Sequence, residues 1–459
     1  MANAQNVTNP AHPAFGKLEG LRYGLLGLPL AFVALPMYVI LPNHYAKEFS
    51  MPLATLGWIL LLARLMDAFI DPVLGRWSDR LFARSAKAVL AVGGVAAMVL
   101  AVGFALLFFP PVAVRVQTSY LIAWVSAMLL VTYAAFSMLT IAHQSWGAML
   151  GGDEAKRSRI VAWREGLGLI GVILASILPV AYGLTASVAV FFIAICVAWW
   201  AWTQSQQPSK PLQQQDHAEQ TPKQTAKSSV FKPFRLAAFR RLLVVFVLNG
   251  IASAVPATLV LFFIQDRLQA PKDMEALFLG SYFICAALAV PLWLRVIQRL
   301  GLARTWLWGM VLSVTVFGWA TQLVAGQTTA FLLICALSGV ALSADLTIPS
   351  ALLAGVIADA GDRGQAEGAY FGWWNFATKL NLALAAGLTL PLLDLLGYSP
   401  GVRAPEALMS LTLVYSLLPI VIKVVAGGAL YVLIIRPIQA KKFQSPLQTS
   451  VQTHPVRSP

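Results

Sequence analysis

Ala63-Arg-Leu-Met-Asp-Ala-Phe-Ile-Asp-Pro-Val-Leu-Gly75 decides how this chain is read, because it sets Arg64, Asp67 and Asp71 inside an apolar run long enough to cross a bilayer. An α-helix advances about 100° per residue, so the spacing i, i+3, i+7 keeps the three side chains within roughly 60° of one face, the carboxylates about one turn apart. Each Asp or Arg at the centre of a membrane helix costs about 2.5–3.5 kcal/mol on insertion scales, so three on one stripe are expected to face a bundle interior or a wet cavity. Two carboxylates converging there suit a cation, with Arg64 as charge partner. The plainer reading is that Arg64 neutralises one Asp and locks helix packing.

Outward from this stretch, composition agrees. Hydrophobic residues make up 58% and charged residues 11% of the 459 positions, and the mean hydropathy is +0.73; soluble domains carry about 45–50% apolar and 25% charged residues. The chain reads as an all-α polytopic membrane protein. About twelve apolar segments recur, near 20–43, 53–75, 86–109, 119–147, 158–182, 186–203, 241–265, 275–294, 303–325, 329–357, 367–392 and 406–435. The polar stretch from Gln204 to Arg235, rich in Gln, Pro, Lys and Ser, divides them six and six. The expected organisation is an N-terminal tail 1–18, a six-helix bundle 19–203, a flexible linker 204–238, a second six-helix bundle 239–437 and a C-terminal tail 438–459.

Lys and Arg set the orientation. With both termini and the linker in the cytoplasm, 23 loop and tail bases lie inside and 5 (Lys47, Arg115, Arg267, Lys272 and Arg403) outside. The same rule accounts for the net charge of +14 without nucleic acid as a partner. No cleavable leader precedes the first apolar run, which is expected to act as its own uncleaved signal. Cys196, Cys285 and Cys335 lie in apolar segments at no metal-ligand spacing, so neither disulfides nor zinc are expected.

Leu139-Thr-Ile-Ala in the fourth span recurs as Leu346-Thr-Ile-Pro in the tenth, a weak internal repeat. Parallel repeats with a site between the halves near mid-bilayer are the architecture of major facilitator transporters. Gly75-x-x-x-Asp79-Arg80 resembles the loop motif of that superfamily, with Phe82 and Ala83 in place of its Gly-Arg. Arg64-x-x-Asp67-Ala-x-x-Asp71-Pro-x-x-Gly75 further resembles the second-helix signature of the glycoside–pentoside–hexuronide:cation symporters, the melibiose carrier's family. Leu248 to Thr258 is similar to that family's seventh helix, and Gly364 to Leu380 to its eleventh.

The resemblance implies a cation site of Asp67 and Asp71 with a fourth-helix hydroxyl, Ser137. It also matches Arg164 to the family's helix-five arginine and Lys379 to its helix-eleven lysine. Two departures bear on the solute: Thr140 stands where the melibiose carrier has a sugar-gripping aspartate, and Gly20 to Leu41 contains no carboxylate. A galactoside is therefore in doubt, while Tyr370, Phe371, Trp373 and Trp374 offer stacking surface. Ile70 replaces a polar Asn between the acids, which favours H⁺ over Na⁺ as the coupling ion. No metal other than Na⁺ and no cofactor is implied. The expected partners are a small solute, the coupling cation and the bilayer of a bacterial inner membrane, with the chain a monomer.

The candidates for solute contact are Thr140, Arg164 and Lys379, which the resemblance points to, and His143, Asn249, Asp345 and Trp374, these four weighed against ordinary helix packing. Lys379 is the expected partner of Asp345; Glu165 is expected to be structural, and Lys423, four residues after Pro419, has no obvious partner. An integral-membrane enzyme is disfavoured, since the five histidines show no HExxH spacing and no Walker A run is present. The leading reading is cation-coupled symport of a sugar or glycoside by alternating access. The rivals are transport of an amphipathic solute such as a lysophospholipid, and a sensor or scramblase on the same scaffold.

Overall fold

The computed structural model describes residues 15–208 and 229–439; the expected tail residues 1–14 and 440–459 and linker residues 209–228 lie outside the described part. Among the described residues every regular element is helical. The first half comprises α1 (Lys17–Gly24), α2 (Gly27–Leu35), α3 (Leu41–Glu48), α4 (Leu53–Arg84), α5 (Ala86–Phe108), α6 (Val112–Arg115), α7 (Thr118–Met149) and α8 (Glu154–Thr203). The second comprises α9 (Ala237–Phe262), α10 (Asp273–Leu300), α11 (Leu302–Ala320), α12 (Thr328–Asp359), α13 (Glu367–Leu395), α14 (Pro405–Thr412) and α15 (Leu418–Leu430).

Nine helical stretches among these residues are long and apolar enough to cross a bilayer. The remaining long helices are α4, with 32 residues, and α11, with 19. Unbroken, the 50 residues of α8 would exceed twice the roughly 30 Å hydrocarbon core. The helix instead breaks at Gly183, whose φ of 82° and ψ of 174° suit a residue without Cβ. Between α13 and α14, the Tyr398 hydroxyl donates to Asp266 Oδ2 at 2.6 Å. Burial and this bond push its ionisation well above the usual tyrosine range.

One apolar core fills the first half around Phe104, Trp146, Phe191 and Trp202. Another, around Trp306, Tyr370 and Trp374, also takes in Ile141, Ala148 and Val161 of the first half and so forms the seam between the two. The halves meet chiefly where α4 lies against α13 and where α8 lies against α10 and α12. Glycine makes the first contact possible. A Cβ on Gly75 would strike the Gly368 carbonyl, and one on Gly372 would come within 2.7 Å of the Asp71 carbonyl. The two antiparallel backbones therefore touch over Gly75–Gly368 and Asp71–Gly372.

The end of the molecule carrying Arg76, Arg80 and Arg84 is clasped by side chains that complete helix termini across the seam. Asp79 accepts from the Gly368 and Ala369 amides at the start of α13, at 2.6 and 2.9 Å. Glu154 of α8 accepts from the Leu302 amide that opens α11, at 3.0 Å. Arg363 donates to the Met149 carbonyl at the end of α7, through Nε at 3.2 Å and Nη2 at 2.9 Å. The described part of the linker joins in: Lys232 pairs with Asp362 at 2.6 Å, and Trp373 donates to the Val230 carbonyl.

Candidate functional site

Because α13 runs antiparallel to α4 from the Gly75–Gly368 contact, Lys379, nearly two turns beyond Gly372, arrives opposite Asp67 and Asp71. Its ammonium lies 2.7 Å from Asp67 Oδ2 and 2.8 Å from Asp71 Oδ2. It donates to Asp71 Oδ1 at 2.9 Å and to Ser137 Oγ at 2.8 Å. Ser137, on α7, donates in turn to Asp67 Oδ1 at 2.8 Å. Both carboxylates are buried, Asp67 2% and Asp71 0% exposed. Three helices from two halves thus converge on one cluster of net charge −1.

The ammonium approaches each Oδ2 outside hydrogen-bond geometry, so these two oxygens have no donor. Their lone pairs can still take a proton or help ligate a cation. Pro72, directly after Asp71, lacks an amide and leaves the Ala68 carbonyl without its usual helical partner. Among the described residues no group of three or more His, Cys, Asp or Glu is placed to hold a metal ion.

The partner assignments expected from sequence change here. Arg64 forms no ion pair among the described residues; it is exposed, with its guanidinium 3.9 Å from the ring centre of Tyr38. The charge partner of Asp67 and Asp71 is Lys379, which a single-helix periodicity cannot supply because it comes from the other half. Lys379 is correspondingly not the partner of Asp345. That place is taken by Lys423, at 2.8 Å, and Trp306 Nε1 donates to the other Asp345 oxygen at 2.9 Å.

The remaining candidates disperse. Thr140 lies one turn beyond Ser137, its hydroxyl buried without a partner. His143 is 0% exposed and locked to α1, its Nε2 2.8 Å from the Tyr23 carbonyl while the Tyr23 hydroxyl donates to the His143 carbonyl. Its ring also meets Trp202 edge-on, so its neighbours are packing partners. Arg164 is buried in an ion pair with Glu165, at 2.6 Å. It lines a space of about 10 Å³ between the halves, near Tyr23 and Phe371. Asn249 is buried with an unpartnered Oδ1. Trp374 stacks on Phe246 at 3.7 Å between ring centres and is 3% exposed. With Trp373 held by the linker, neither indole lines a described cavity.

Sequence reasoning missed the capping roles of Glu154 and Arg363, which carry no local signal. For Asp79 the Gly-x-x-x-Asp-Arg pattern was the available clue.

Known proteins bear on this arrangement. Residues 22–436 match the MFS/sugar transport protein family. The chain belongs to that family. It is a transporter rather than an enzyme, and an integral, multi-pass membrane protein. This family member is 22% identical over 447 residues to the uncharacterized symporter YjmB of Bacillus subtilis (strain 168), covering 90% of this chain and 92% of that one. In fold it is similar to a bacterial homologue of the iron transporter ferroportin in its outward-facing state, with a TM-score of 0.64 and 17% identity, covering 91% of this chain and 99% of that one. The transporter FucP in the outward conformation gives 0.62 at 14% identity, covering 89% and 98%. The human organic anion transporter MFSD10 gives 0.60 at 17%, covering 88% and 98%.

Proposed function

We propose that the chain is a cation-coupled symporter of a small organic solute, of the sugar or glycoside class, working by alternating access. In this reading it has twelve spans, with both termini in the cytoplasm of a bacterium whose inner membrane it occupies as a monomer. Asp67, Asp71 and Ser137 bind the coupling ion, H⁺ or Na⁺, and Lys379 is the tethered cation that shares the site. The observation that carries the proposal is the Lys379 ammonium held between the two carboxylates and the Ser137 hydroxyl, at 2.7–2.9 Å. A pocket that binds an ammonium through carboxylate and hydroxyl oxygens offers the ligand chemistry of a small hard cation. Because the ammonium belongs to the second half and the carboxylates to the first, whatever competes for those oxygens loosens the seam. A bound ion thereby biases the equilibrium between the two states of the carrier, and by linkage solute and cation raise each other's affinity equally. The family description, which names sugar transport, and the symporter among its relatives support this reading.

The test uses purified protein and a panel of sugars and glycosides, each with and without Na⁺ and at two pH values, read by thermal stabilisation. A sugar or glycoside whose stabilisation grows with Na⁺ or at lower pH, and whose coupling vanishes in Asp67→Asn and Asp71→Asn, is the expected result. Concentrative uptake of that solute into vesicles at wild-type levels by both variants would overturn the coupling site.

A further inference from the structure

The second half holds a chamber that the coupling site does not use. It measures about 210 Å³ and is bounded by α9, α10, α11, α12 and the segment from Tyr415 into α15. It is partly open rather than sealed, so it is space a molecule can enter. At one side stand Asp345 and Lys423, paired at 2.8 Å. Most of the remaining wall is aliphatic or aromatic, including Phe283, Phe317 and Tyr415.

We propose that this chamber is a binding site for a compact, uncharged molecule with an apolar, ring-sized body and one hydroxyl or carbonyl group directed at Lys423. Size, charge and hydrogen bonding each narrow the class. A dry apolar cavity of about 150 Å³ accommodates benzene, so about 210 Å³ suits a single ring with one small substituent. The aromatic wall residues favour a flat body.

The wall charges exclude a charged occupant. Asp345 and Lys423 together are neutral, so a carboxylate or an amine would leave one uncompensated charge against a largely apolar wall, or would have to break the pair. Hydrogen bonding fixes the polar end. Asp345 spends most of its acceptor capacity within the protein: Oδ1 accepts from Trp306, and Oδ2 from Lys423 and from Ser253 at 3.3 Å. Lys423 uses two of its three N–H donors, on Asp345 Oδ2 and on Ser253 Oγ at 2.9 Å, and the third has no acceptor among the described residues. The unspent position on Lys423 is a donor, and what it recognises is an acceptor; the Ser338 hydroxyl, buried without a partner in the same wall, can serve a second polar contact.

These residues lie wholly in the second half and include none of Asp67, Asp71, Ser137 or Lys379, so the proposal stands or falls separately from the coupling reading. The experiment is titration of the full chain in nanodiscs, with matched protein-free nanodiscs subtracted. The four probes share one shape: benzyl alcohol, toluene, benzoate and benzylamine. Benzyl alcohol is expected to bind at least about tenfold more tightly than toluene, the worth of one hydrogen bond to a charged donor. It is also expected to bind more tightly than benzoate or benzylamine. Ser338→Phe, which fills the chamber from its wall and leaves the ion pair intact, is expected to abolish binding. Benzoate or benzylamine binding as tightly as the alcohol, or toluene equal to it, would overturn the class. Alcohol binding unchanged in folded Ser338→Phe would overturn the site. The ranking of the four probes on the wild-type chain decides the matter even where the variant does not fold.

Discussion

Lys379, half-buried, and Lys423, buried, are both lysines paired with aspartate, and their surroundings assign them different work. Lys379 bridges the halves and touches oxygens that an ion would use, whereas Lys423 is held within one half by Asp345 and Ser253. Lys379→Ala is expected to cripple coupled uptake and to change how strongly Na⁺ or pH stabilises the protein, since two facing carboxylates must then find another cation. Lys423→Ala is expected to lower the unfolding free energy by about 3–5 kcal/mol, the usual consequence of stranding one member of a buried pair. In the folded fraction, the cation dependence of stability should survive. Thermal melts with and without Na⁺ separate the two outcomes; equal loss of cation response in both variants would show that Lys379 has no special place. The carboxylates were legible from their own helix because i, i+3, i+7 periodicity is local. The ion pairing was not, because Lys379 is more than three hundred positions from Asp67 and no pattern within one span reports which face a distant span presents.

At the scale of elements, the contact of α4 with α13 depends on backbone touching backbone. Gly75→Leu is expected to prise the two helices apart at the Gly368 carbonyl, withdrawing Lys379 from Asp67 and Asp71 and abolishing uptake while the chain still inserts. Accessibility of a cysteine placed at Ser78, which is fully buried, should rise in that variant; unchanged protection would refute the argument. Asp79→Ala removes the acceptor for two amides of α13 and is expected to cost the closed arrangement about 1 kcal/mol, as loss of a helix cap does elsewhere. The measurement is the shift of the same cysteine's labelling rate. The helices themselves were readable as apolar runs. The boundary expected between 182 and 186 falls at Gly183, which ends one helix and starts another without a polar loop.

For the whole molecule, the end that carries Arg76, Arg80 and Arg84 is shut. That closure is made largely of side chains seated on helix ends: Asp79 on α13, Glu154 on α11, Arg363 on α7. The choice of partner has a kinetic meaning. A terminal amide or carbonyl released from its cap is not stranded, because a helix end at the membrane surface can turn at once to solvent. Unlatching therefore trades each contact for hydration of similar strength, and the barrier between the shut and open forms is kept low without loss of register on reclosing. A carrier fastened this way behaves like a press-stud rather than a rivet, opening and reclosing many times at little cost.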